Sequence, residues 1–293
     1  MQTPRGSRRW PALLLAGAVL AGCSGLVAAS TPWTAGERSS RAVAIPPADL
    51  TVARTRADAI RTRLGLPGRA TTVERIEDRL EGRVFDRITF QDAAGPSALV
   101  ELEPNGRPHL VVALGWRGSA GPAAGRNVAL RMALAHARAA GFEVAGRPTI
   151  LETADGWDIV WERQVDGIPV LGDGVRASVW ADGSFHAIVQ WEHALAPRPA
   201  TIIDEGTARS VAAGLFAARA GSDRAIVIRS ARLAYVRPND AADPSRPDAP
   251  LAEARLAWVV LGEPADPAKV LFHRAEVWLD AGDGSVLGGD VAE

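Results

Sequence analysis

Three stretches of the chain place apolar residues every three to four positions, the spacing that gathers them on one face of a helix. The first runs from about Thr55 to Leu64, with Ala57, Ile60 and Leu64 on one face and Gly65 as its stop. Thr55 and Asp58 are spaced as a capping pair, with Asp in the place usually held by Glu or Gln. The second runs from about Asn127 to Ala140, with the stripe Val128, Met132, Ala135 and Ala139 and the stop Gly141. The third runs from about Asp204, a good N-cap, to Ala220, with the stripe Ala208, Val211, Ala212 and Leu215 and the stop Gly221.

After each helix come alternating runs that read as strands and close in a glycine turn. Arg83–Phe90 and Ala98–Glu103 lead to Pro104-Asn105-Gly106 and then Arg107–Trp116. Thr149–Glu152, Trp157–Gln164 and Arg176–Trp180 lead to Ala181-Asp182-Gly183 and then Ser184–Trp191. Ile228–Val236, Ala254–Leu261 and Leu271–Asp280 lead to Ala281-Gly282-Asp283-Gly284. Asn-Gly and Asp-Gly between such runs are hairpin signals, because both residues tolerate positive φ. The turn glycines 106, 183 and 284 lie 77 and 101 residues apart, and much of the excess sits in the proline-rich stretch 237–251. A helix followed by an antiparallel meander, three times over, predicts an α+β fold.

The first segment breaks this rhythm. Arg5, Arg8 and Arg9 precede the apolar run Trp10–Leu20, the order of a secretory signal. The run ends in Leu20-Ala21-Gly22-Cys23, which resembles a bacterial lipobox; the resemblance implies lipid attachment at Cys23. Two other readings stay open. Val27-x-Ala29 fits an ordinary signal-peptidase site and a secreted product, and the 20 residues Trp10–Ala29 are long enough to span a bilayer uncleaved. The Ser/Thr/Ala/Pro-rich stretch that follows, ending in Ile45-Pro46-Pro47, reads as a tether.

Charge is balanced at 33 basic against 34 acidic residues, which excludes a strongly basic nucleic-acid binder. From Ser24 onward the balance is 30 against 34, so the chain without its leader is mildly acidic. Lys269 is the only lysine and Cys23 the only cysteine, so neither an intrachain disulfide nor a thiolate zinc cage can form.

The run Trp161-Glu162-Arg163-Gln164-Val165-Asp166-Gly167-Ile168-Pro169-Val170-Leu171-Gly172 resembles the propeptides of thermolysin-type secreted metallopeptidases. Further on, Ala231–Tyr235 and Arg255–Val260 are similar to strands of the PepSY pattern, and Glu276–Ala281 with Gly284–Leu287 is similar to its ending. The resemblance covers about 127–289; the first helix and its strands match only in layout. It implies repeated PepSY-like units, one helix packed on an antiparallel β-meander. The chain then divides into a signal at 1–22, a tether at 23–47, a first unit at 48–118, a propeptide-like unit at 125–199 and a PepSY-like unit at 200–290. A propeptide of this type would precede a zinc peptidase with His-Glu-x-x-His. No such motif is present, and His273-Arg274-Ala275-Glu276 has the wrong spacing.

Other chemistry is sparse. His109, His136, His186, His193 and His273 show no i, i+4 ligand pair. Asp280 and Asp283 fit a turn better than a calcium loop, which needs more alternating oxygens and a closing Glu. Ser119 and Ser184 lie in no nucleophile motif, and no Walker or dinucleotide loop occurs. Trp157, Trp161, Trp180, Trp191, Trp258 and Trp278 read chiefly as core, with Trp180 and Trp278 placed for recognition near their turns. No catalytic residue, cofactor or metal is expected. The resemblance implies a non-catalytic envelope protein, membrane-anchored through a lipid, that binds protein or peptide and inhibits, chaperones or regulates a secreted peptidase. The alternative is a structural or assembly lipoprotein of the cell envelope.

Overall fold

A computed structural model describes residues 40–43, 46–78, 82–114, 122–220, 225–238, 253–266 and 273–292. The signal segment, Cys23, Ser119, the stop Gly221 and most of the proline-rich stretch lie outside the described residues.

The fold is α+β, one large mixed sheet with three helices. In chain order the elements begin with β1 (Ser40–Val43), α1 (Pro47–Arg63), β2 (Arg69–Asp78), β3 (Arg83–Asp92), β4 (Gly95–Leu102) and β5 (Pro108–Ala113). Next come α2 (Arg126–Ala140), β6 (Thr149–Thr153), β7 (Gly156–Val165), β8 (Ile168–Trp180) and β9 (Phe185–Trp191). The last are α3 (Glu205–Ala220), β10 (Ile226–Val236), β11 (Arg255–Pro264), β12 (Arg274–Asp280) and β13 (Val286–Ala292). The strands pair in the order β1-β2-β3-β4-β5-β9-β8-β10-β11-β12-β13, with β7 and then β6 branching from β8. α1 packs on β2 to β4, α2 on β6 to β9, and α3 on β10 to β12.

Two seams join the sheet. At the first, β5 runs antiparallel to β9, with Leu110, Val111 and Val112 opposite Val189, Ile188 and Ala187. At the second, β8 meets β10 in parallel at Val170 and Tyr235, and Leu195 bridges to Ala254. β8 belongs to the second seam and also pairs with β7 and β9; Gly172 and Gly174 sit at positive φ along it. A Cβ on Gly174 would collide with the carbonyl of Trp161.

Several elements depart from expectation. α1 begins two turns before Thr55, at Pro47, where proline's fixed φ and missing N–H suit a first helical position. Thr55 is therefore interior to the helix: its hydroxyl donates back to the Thr51 carbonyl, and Asp58 pairs with Arg61. In α2 the ends are as expected, and Gly141 closes the helix in the left-handed conformation. The buried face is different: Ala129, Ala133, Ala137 and Ala140 face the sheet, while Val128 and Met132 are exposed. Alanine's short side chain lets the helix axis come close to the strands. In α3, Asp204 caps as expected, accepting from the Thr207 backbone N–H at 2.9 Å. Ala208, Ala212 and Phe216 are buried there, while Val211 points outward.

Two strands, β2 and the last strand β13, were not expected. The stretch expected as tether also contributes β1, whose Ser40–Val43 pairs antiparallel with β2.

Candidate functional site

β8 brings Asp173 between its two bent glycines, and this turns the carboxylate inward until its side chain has no exposed surface. Three donors meet it. The His193 backbone N–H donates at 2.8 Å, Arg163 Nη1 donates at 3.0 Å, and His193 Nδ1 faces its other oxygen. Burial alone would push this carboxyl up; the hydrogen bonds and charge from His193, with Arg163, outweigh it and hold Asp173 below the usual carboxylate range. On the far side of the imidazole, Arg237 Nη1 lies 2.5 Å from His193 Nε2.

The β4–β5 turn continues the pattern. Asn105 Oδ1 accepts from the Arg107 backbone N–H at 2.8 Å, folding the turn around Gly106. This aims Arg107 both at Glu103, 2.8 Å away, and at Glu192, 2.7 Å away. Arg83 on β3 also donates to Glu103. Glu103 is lowered: burial opposes its charge, but Arg107 and Arg83 overcome that cost. The Arg107 guanidinium is raised by its hydrogen bonds to Glu103 and Glu192, against the opposing pull of burial. Arg163 closes the chain, reaching Glu192 at 3.7 Å as well as Asp173.

These side chains form an alternating series: Arg83, Glu103, Arg107, Glu192, Arg163, Asp173, His193, Arg237. Arg83, Glu103, Arg107, Glu192, His193 and Arg237 of this series line a cleft of about 670 Å³ that also carries the exposed Glu253, with Arg163 and the buried Asp173 behind them. The cleft sits where the β4–β5 turn, the end of β9 and the end of β10 converge. Its walls present guanidinium and carboxylate groups side by side, which suits a ligand carrying both signs and backbone amides, as a polypeptide does.

The histidines separate into different roles. His109 is buried, stacked on Phe85 at 4.1 Å and edge-on to Trp191 at 5.1 Å. His136 donates to the Gly183 carbonyl at 3.2 Å; burial lowers its pKa. His186 stacks on Trp180 at 4.0 Å, and His273 is exposed. Only His193 reaches the cleft. Among the described residues no group of three or more His, Cys, Asp or Glu side chains is placed to hold a metal ion. Asp280 and Asp283 accept from the Gly282 and Ser285 backbone N–H groups, the geometry of a turn. Ser184 is held by Asp182. Trp161 and Trp278 are buried, and the half-buried Trp157 and Trp258 donate their indole N–H groups to the Ala124 and Ile203 carbonyls. Among the described residues no helix is long and apolar enough to cross a membrane.

Neither a protein-family model nor a curated protein matches the chain. Among solved structures the chain is similar to the Bacillus megaterium YpeB C-terminal domain, at 16% identity and a TM-score of 0.49, over 86% of this chain and 99% of that one.

Proposed function

We propose that the chain is a non-catalytic envelope protein, anchored to the membrane through Cys23. In this reading three PepSY-like α+β units converge on the charged cleft, which binds a segment of another protein and so regulates an extracytoplasmic peptidase. The observation that carries the reading is the cleft itself. Arginines and carboxylates alternate along its wall, from Arg83 on β3 to Arg237 beyond β10, and hold one another in place. A bound segment would touch chain regions more than 150 residues apart in sequence, so occupancy would report to the whole sheet. The propeptide-like run 161–172 lies on β7 and β8, whose Arg163 and Asp173 belong to or adjoin that network.

The test is site-specific photo-crosslinking in the native cell, with the full chain carrying a photoreactive residue in place of Glu253. Discrete adducts with one envelope protein are expected, and they should disappear with Arg107→Glu at unchanged chain level. Equal labelling from Glu253 and from the remote Arg229 would overturn the reading. An adduct with a protein that is no peptidase, together with unaltered envelope proteolysis on gene deletion, would favour the structural or assembly role. The mass of the N-terminal peptide reads lipid attachment at Cys23 directly.

A further inference from the structure

The outward face of α2 (Arg126–Ala140) is the strongest feature that the cleft does not use. α1 carries Asp49 and Asp58, and α3 carries Glu205; α2 has three arginines and no acidic residue at all. Its Arg126, Arg131 and Arg138 are exposed, and among the described residues none of the three makes an ion pair. Arg54, Arg69, Arg147 and Arg198 are likewise exposed without an ion pair among the described residues, so what sets α2 apart is that it carries no acidic residue.

Apolar side chains share the same outward arc. Val128, Met132 and Ala135 follow one another at helical spacing, with Val128 40% and Met132 37% exposed. Arg131 and Arg138 lie beside that stripe by the helical period, and the buried alanines face the other way. The nearest acid beyond the helix, Glu143, comes after the Gly141 cap. A basic, partly apolar helical face on a chain that is net acidic from Ser24 onward does not follow from overall charge.

We propose that this face of α2 lies on the anionic surface of a bilayer, with Arg131 and Arg138 at phosphate level and Val128 and Met132 inserted among the headgroups. The proposal builds on the membrane-anchored reading above. Two arginines and two apolar side chains bind a vesicle only weakly from free solution. Attachment at Cys23 changes this, because only residues 24–39 separate it from the first paired strand. A chain of that length reaches at most about 55 Å, so the face is held close to the bilayer at high effective concentration. Docking α2 would fix which way the cleft faces relative to the membrane. An acidic protein surface is the competing occupant.

The test uses the chain from Ser24 to Glu293, which keeps every described residue and lacks Cys23, so that surface binding and lipid anchoring are read apart. The probes are vesicles of phosphatidylglycerol with phosphatidylcholine, vesicles of phosphatidylcholine alone, and polyglutamate. Weak co-sedimentation, seen at high lipid concentration with the anionic vesicles only and lost at high salt, is expected, and no binding at any lipid concentration would overturn the proposal. Arg131→Glu with Arg138→Glu should weaken it about tenfold or more, and Val128→Asp should weaken it severalfold. Arg229→Glu, on β10, should leave binding unchanged at an equal thermal midpoint. Equal sedimentation with both vesicle types, insensitivity to the charge reversals, or capture by polyglutamate alone would overturn the proposal. A full chain found without lipid at Cys23 would break the anchored reading while leaving a positive vesicle result standing.

Discussion

The sheet from β2 to β9 and the sheet from β10 to β13 solve the same packing problem differently. In the first, one apolar core runs unbroken beneath α1 and α2, from Ala57 and Ile60 through Phe90, Val100 and Val111 to Ile159, Ala177 and Ile188. Its reverse face sets Arg87 directly across from Glu101, with Phe85 and Leu110 buried beside them; Arg75 and Asp86 pair on the α1 face, where Arg75 also reaches Asp49. In the second, apolar side chains line both faces. Ala208, Phe216, Val260 and Leu279 pack under α3, while Ala234, Val259, Trp278 and Leu287 form a separate cluster. A third small cluster, Val170, Tyr235, Ala254 and Leu256, sits at the seam with β8. The difference teaches where cooperativity should lie. A shared core ties α1 and α2 into one unfolding event, whereas small clusters behind a narrow seam allow α3 and its strands to open alone.

The largest test is Phe90→Ala. Phe90 is fully buried in the shared core, and deleting its ring should cost about 3–5 kcal/mol. Hydrogen exchange should speed up in α1 and α2 together, although Phe90 lies on β3. If α2 kept its protection while α1 lost it, the two helices would not share one core energetically. Leu279→Ala is the counterpart, expected to cost about 2–5 kcal/mol. Leu279 is fully buried under α3, so exchange should rise in α3 and β10 to β12 and stay unchanged in α1. Loss of protection across the whole sheet would show that the β8–β10 seam couples more strongly than its single parallel register pair indicates.

How much of this contrast was legible in the sequence differs by element. The glycine turns 106, 183 and 284 and the three helices could be read because their signals are local: a stop glycine, a cap, an apolar period. The face of α2 could not. Val128–Met132–Ala135–Ala139 and Ala129–Ala133–Ala137–Ala140 are both helical stripes, and only the closeness of the sheet selects the small one. β2 was hidden because its alternation is largely polar, with Ile76 its only fully buried residue. The cleft was illegible for a different reason. Its residues come from positions 83, 103–107, 192–194, 237 and 253, and no spacing in sequence brings these together. The one local hint was Asp173, a carboxylate between two glycines.

Acid should act on the two regions with opposite sign. Asp173, beside the second seam, is held below the usual carboxylate range, so its stabilisation is present above the unfolded Asp value and is lost as pH falls through the folded one. Glu101, in the first region, is raised, chiefly by burial, with Arg87 pulling it back. Its contribution is therefore present below the unfolded Glu value and is lost as pH rises through the folded one. On acidification from pH 6 to 3 the second seam should loosen first, seen as faster exchange near Val170 and Tyr235, while β3 and β4 hold. Asp173→Asn should remove that part of the pH dependence. Its persistence in the variant would move the sensitive group elsewhere.

The smallest effect separates α2 from α3. The two helices have similar lengths, but their N-termini are held differently. Asp204 accepts from the Thr207 backbone N–H and hydroxyl, whereas Gly125 before α2 offers no side-chain acceptor. A capping side chain contributes about 1 kcal/mol, and glycine in that place falls short by only a few tenths. Asp204→Ala should therefore lower the thermal midpoint slightly and raise exchange in the first turn of α3, with no change in α1 or α2. Gly125→Asn should slow exchange at the start of α2 by a smaller amount. α3, on its small apolar cluster, depends on its cap; α2, bedded on four buried alanines in the shared core, does not. If Asp204→Ala left α3 unchanged while Gly125→Asn strengthened α2 markedly, local capping and not shared packing would be what distinguishes the two regions.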